Sequence, residues 1–166
     1  MRRVPITESG STLVEAMMAA GISALFLGSL FAMNGSSMQT IKMTREATAA
    51  SQVLQQRVES MRIANWHQIT DADWIKANLL NADSPGSANL KGVSETLTII
   101  PYGSGVTQDT KLTRSGGSVV INERNTDLLG ENAVKIVWTI NFNGAPNDRP
   151  TSRQTVAILG KGGVAK

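Results

Sequence analysis

Residues 16–33 are uncharged and mostly apolar, and a single carboxylate, Glu15, stands at their entrance. A run of that length is close to the roughly 20 apolar residues that a helix needs to cross a bilayer. An acidic side chain at the centre of such a helix costs roughly 2.5 to 3.5 kcal/mol, and the cost falls toward the interface. Glu15 lies near the end of the run, where the cost is partial, and a carboxylate kept there calls for a function.

No proline occurs between Pro5 and Pro85, so the strongest helix breaker is missing from the whole region. The one weak point is Asn34-Gly35, where a glycine costs about 1 kcal/mol relative to alanine inside a helix. It marks either a hinge or a tolerated interruption at the membrane surface. Beyond it Met43, Ala47, Ala50, Leu54, Val58 and Met61 recur every three or four residues, with Lys42, Arg45, Glu46, Gln52, Gln55, Arg57, Glu59 and Arg62 around the rest. The pattern predicts one helix from Ser11 to about Ala64, roughly 80 Å long at 1.5 Å per residue. Its first half would lie in lipid and its second half would cover a sheet.

The remainder reads as a short helix and then strands. Thr70 is the expected N-cap of a helix over 70–80, with Asp73 three residues later in a box-like arrangement. Capping also explains Asp71 and Asp73 better than a metal does, since calcium takes six to eight oxygens. Residues 81–92 have loop composition. Strands are expected over 96–99, 118–123, 133–143 and 154–159, with a turn region at 143–150. In the clearest of them Val134, Ile136, Trp138, Ile140 and Phe142 share one face, which needs the helical stripe as its partner surface. The fold class is therefore α+β, a long helix layered on a small antiparallel sheet.

The residues before the apolar run carry a more specific signal. A short leader with a basic front, Met1-Arg2-Arg3-Val4-Pro5-Ile6-Thr7-Glu8-Ser9-Gly10, is followed after Ser11 by Thr12-Leu13-Val14-Glu15 and then the long apolar segment. In that order these features resemble the processing site of type IV prepilins and type II secretion pseudopilins. There a dedicated peptidase cuts after the glycine and methylates the new amino terminus. Most family members place Phe or Met after the glycine, whereas this chain has Ser11. The departure bears on methylation, because the cut depends above all on the glycine. An ordinary secretory signal peptide fits less well, since its apolar core is usually about 7 to 15 residues.

The resemblance implies cleavage between Gly10 and Ser11, N-methylation of Ser11, and a pilin fold. It also implies that Glu15 neutralises the free amine of Ser11 on a neighbouring subunit, the alternative being a pair with its own amino terminus one helical turn away. The domain plan is then a leader at 1–10, a spanning half-helix at 11–33, an amphipathic half-helix at 34–65 and an extracytoplasmic sheet domain at 66–166. Expected partners are the prepilin peptidase, other pilin or pseudopilin subunits, the inner-membrane assembly machinery and membrane lipid. The pattern at 135–159, a Lys-Ile-Val-Trp strand, a Gly and Arg turn and a Thr-Val-Ala-Ile-Leu strand, looks like minor pilins and minor pseudopilins. Arg2 and Arg3 before the span place the amino terminus in the cytoplasm and the rest outside.

Composition sets limits on other functions. The chain of 166 residues has no cysteine, so it holds neither a disulfide framework nor a thiolate metal site. Its net charge of +3 falls to +2 once the leader's Arg2, Arg3 and Glu8 are removed, and Lys and Arg are scattered without a dense cluster. DNA binding, which gains from neutralising several phosphates together, is the minority expectation. A module that is merely anchored by the helix and holds DNA or a secreted substrate is the alternative reading. The only histidine, His67, would have to anchor any catalytic triad, and Gly103, Gly105, Gly116 and Gly117 lack the lysine spacing of a nucleotide loop. No enzyme activity, cofactor or metal is expected.

Within the spanning segment Ala16, Ala20, Ala24, Gly28 and Ala32 are small and four apart. In lipid, helices associate by close backbone approach, which such spacing permits, so this row is the expected helix-helix contact.

Overall fold

A computed structural model describes residues 13–103, 105 and 108–162. The chain divides into two compact units, Met1–Ile41 and Lys42–Lys166. The architecture is α+β, and one helix, α1 (Leu13–Ile63), contributes to both units.

In the first unit every described residue is helical and solvent-facing. Its large apolar side chains are exposed, Leu25 at 77% and Phe31 at 75%. By length and composition α1 contains a stretch able to cross a membrane, and none of that stretch is buried. Three of its serines bond back to the helix. Ser23 donates to the Ala19 carbonyl at 2.8 Å, Ser29 to Phe26 at 2.7 Å and Ser37 to Met33 at 2.9 Å, which is how hydroxyls are tolerated where water is scarce. The helix is regular through Asn34 and Gly35.

The second unit holds the rest of α1, then α2 (Trp66–Ile69), α3 (Ala72–Ile75), a π turn over Lys76–Leu80 and a 3-10 turn over Pro85–Asn89. Strands β1 (Lys91–Pro101), β2 (Thr110–Ser115), β3 (Ser118–Glu123), β4 (Ala133–Gly144) and β5 (Arg149–Gly160) follow. They form one antiparallel sheet in the order β3-β2-β1-β4-β5. Val134, Ile136, Trp138, Ile140 and Phe142 are buried, as their alternation predicts, and cluster with Leu97, Ile99 and Leu112 and with Ala50, Val53, Leu54 and Met61 of α1. The 3-10 turn lies close against α1. A Cβ added to Gly86 would stand 2.9 Å from Val53 Cγ2 and 3.2 Å from the Ala49 carbonyl oxygen.

Four expectations change. The helical stripe begins later than Met43, which is 46% exposed. The turn after β4 meets α1 at Glu46, whose carboxylate accepts the Ala145 N–H at 2.7 Å, and Met43 lies a turn before that contact. Glu46 and Arg57, expected on the solvent face, are buried. Thr70 ends α2, its hydroxyl donating to the Trp66 carbonyl at 2.9 Å, and Asp71 is the N-cap of α3, accepting the Asp73 N–H at 2.9 Å. Finally β2, with Leu112 as its one large apolar residue, gave no strand signal, and β5 starts at Arg149, well before 154.

Candidate functional site

Gly10 and Ser11 lie outside the described residues. Glu15 sits in the first turn of α1, where the partial positive charge of the helix start favours a carboxylate. The small row Ala16, Ala20, Ala24, Gly28 and Ala32 is helical and exposed throughout. Steps of four residues rise about 6 Å and turn about 40° each, so the row is an oblique ridge that winds about 160° from Ala16 to Ala32. It suits a helix crossing at an angle better than one lying parallel. Met17, Leu25 and Leu27 flank it with bulk.

Behind the sheet face lies a buried charge cluster that the sequence reading did not identify. Glu95 on β1 is fully buried. Arg57 grips it with Nε donating to Oε2 and Nη2 to Oε1, both at 2.9 Å. Trp138 Nε1 adds a hydrogen bond to Oε2 at 3.3 Å, and Arg114 Nη1 reaches Oε1 at 3.5 Å. Arg57 also donates to the Leu79 carbonyl and, at 3.0 Å, to the Ala82 carbonyl. Its guanidinium carbon stands 5.9 Å from the Trp138 ring centroid. Arg114 pairs outward with Asp83 and leaves its Nε buried without a partner among the described residues.

The signal for this cluster was present. Glu95 is in phase with Leu97 and Ile99 on one strand face, and Arg57 stands four residues from both Val53 and Met61 on one helix face. A charge in the apolar phase of two elements predicts a buried pair, because neither charge is tolerated alone. Chemically the cluster is a clamp: Glu95 accepts four hydrogen bonds from three side chains, and through Arg57 it holds α1, the π turn and the sheet together. It presents no nucleophile or general base to a cavity.

At the other end of α3, Arg124 meets Asp73 through two hydrogen bonds of 2.8 Å. That hydrogen-bonded guanidinium holds the Asp73 carboxyl below the usual carboxylate range, and Arg124 is correspondingly raised. Asp109 goes the other way, pushed up by burial and then by the nearby Glu123 charge. His67 is exposed beside a shallow groove of about 230 Å³ shared with Asp71 and Arg124. Among the described residues no group of three or more His, Asp or Glu is arranged to hold a metal ion.

No protein-family model matches the chain, and no curated protein or solved structure matches it either, so the architecture and these contacts carry the functional reading by themselves.

Proposed function

We propose that the chain is a non-enzymatic filament subunit, a minor type IV pilin or minor type II secretion pseudopilin. In this reading it is processed after Gly10 and drawn from the inner membrane into the filament. The observation that carries the reading is α1 itself. One unbroken helix has a carboxylate in its first turn, a membrane-length apolar portion and a last portion whose buried residues pack against an antiparallel sheet. A signal peptide or a simple anchor requires the apolar portion only.

The mechanism is assembly. Cleavage frees the amine of Ser11, and in a bundle of apolar helices an amine and a carboxylate must be paired, since each alone costs several kcal/mol away from water. Glu15 of one subunit neutralises Ser11 of the next and fixes the register, while the Ala16 to Ala32 ridge admits a neighbouring helix. Before extraction the amino terminus is cytoplasmic and the sheet unit extracytoplasmic.

Intact mass spectrometry of the chain expressed with a prepilin peptidase tests the reading. Cleavage between Gly10 and Ser11, abolished by Gly10→Val, is expected, with the added mass of one methyl group if Ser11 is accepted for methylation. A cut within or after residues 16–33 would show a secretory signal peptide instead. Glu15→Val should insert into membranes more readily yet fail to enter filaments, and assembly at wild-type levels would reject the pairing.

A further inference from the structure

We propose that the free edge of β5 is a docking site for an extended acidic segment of another protein, which adds to the sheet as a sixth strand. The proposal stands apart from the filament reading and rests on the edge, a groove and unpaired charge.

β5 pairs with β4 in unbroken register from Gly144↔Arg149 to Ala133↔Gly160, and no described strand pairs with its other side. A twelve-residue edge is long for one that is left open, and natural sheets usually shorten such edges or interrupt them with proline and charge. Here Pro150, Arg149 and Arg153 occupy the first half only. From Gln154 to Gly160 the strand has neither proline nor charge.

Side chains of an added strand would alternate between the two sheet faces. On the outer face they would meet Val156 and Ile158, exposed at 52% and 54%. On the helix side, a groove of about 370 Å³ opens between the Ile158 to Gly160 end of β5 and Met61, Trp66 and Ile69. Backbone pairing with pockets for alternate side chains is how strand addition gains affinity and specificity together.

Charge selects the occupant. Arg149 and Arg153 are exposed and form no ion pair with a described residue, and β5 carries no carboxylate. A second copy is a poor match. Two β5 edges would bring arginines to a strand without acids, and β3 offers six residues with Glu123 as its one carboxylate. Carboxylates spaced along an extended segment answer both arginines.

The full-length chain in nonionic detergent can be titrated with fluorescent synthetic peptides. One alternates glutamate with valine, one alternates lysine with valine, and one is the acidic peptide with a central proline. The acidic peptide should bind and slow amide exchange along β5, while the other two bind weakly. Replacing Arg149→Glu and Arg153→Glu together should weaken the acidic peptide by about tenfold or more and favour the lysine peptide, with the circular dichroism spectrum unchanged. Equal binding of acidic and basic peptides, protection away from β5, or no binding would overturn the proposal. So would displacement by a single-stranded oligonucleotide, or self-association that itself protects β5, which would make a second copy the occupant.

Discussion

Arg57 on α1 and Glu95 on β1 meet in a two-pronged ion pair at 2.9 Å, with side-chain exposures of 8% and 0%. The pair ties the helix to the sheet, and through the Leu79 and Ala82 carbonyls it also fixes the π turn between them. Truncating one partner strands the other in the core. Arg57→Ala is expected to destabilise the second unit by about 3 to 5 kcal/mol, measured by denaturant unfolding of the full chain in detergent. Arg57→Lys, which keeps charge but loses the planar fork, should fall between. A loss under about 1 kcal/mol for the alanine variant, the range of an exposed pair, would show that water replaces the guanidinium.

A side chain at Gly86 in the 3-10 turn would be crowded by α1, with an added Cβ 2.9 Å from Val53 Cγ2 and 3.2 Å from the Ala49 carbonyl oxygen. Part of that crowding is with backbone, the Ala49 carbonyl, and backbone inside a helix yields little. Gly86→Ala is therefore expected to cost about 1 to 3 kcal/mol as overpacking, while Gly105→Ala, with nothing within 4 Å, should escape that penalty. Equal midpoints for both variants in the same unfolding assay would contradict the contact.

Asp73 has a folded-state pKa below its ordinary 3.8 because Arg124 hydrogen-bonds the carboxylate. A depressed carboxylate contributes stability above its unfolded value and loses it as pH falls through the lower folded value. Asp73→Asn should thus differ from the parent at neutral pH, and the two unfolding curves should converge as the pH drops below 3.8. Both groups are at the surface, so added salt should shrink the difference as well.

Asp109 has the opposite sign. Its pKa is raised, first by burial and then by Glu123, so ionisation works against the folded state. The penalty is absent below the ordinary 3.8 and grows as pH rises through the folded value. Asp109→Asn should raise the melting temperature at pH 7 and leave it unchanged in acid, and Glu123→Gln should give a smaller gain. A destabilised Asp109→Asn at pH 7 would contradict the assignment.

Ala24→Leu adds bulk to the middle of the small-residue ridge without adding polarity. Under the filament reading it should leave cleavage and insertion intact and reduce assembly, whereas Leu25→Ala on the neighbouring face is milder. Single-cysteine variants are clean probes in a chain that has no native cysteine. Crosslinks through Ala20 and Ala24 are expected, and equal crosslinking all round the helix would reject the ridge as a contact.

What could be read from the sequence was whatever a short period reports. The apolar run at 16–33, the absence of proline between Pro5 and Pro85 and the strict alternation from Val134 to Phe142 each reflect one element facing one environment, and the long helix and β4 were legible for that reason. Tertiary structure decided the exceptions. Arg57 and Glu95 each stand in the apolar phase of their element, but only their meeting across 38 positions of chain makes either one tolerable in the core. In the same way β2, with Leu112 as its single large apolar residue, is a strand because β1 and β3 pair with it on both sides. Sequence periodicity records the face an element buries, charges included, whereas the partner that stabilises a buried charge or a polar strand is remote in the chain and is chosen by the tertiary structure.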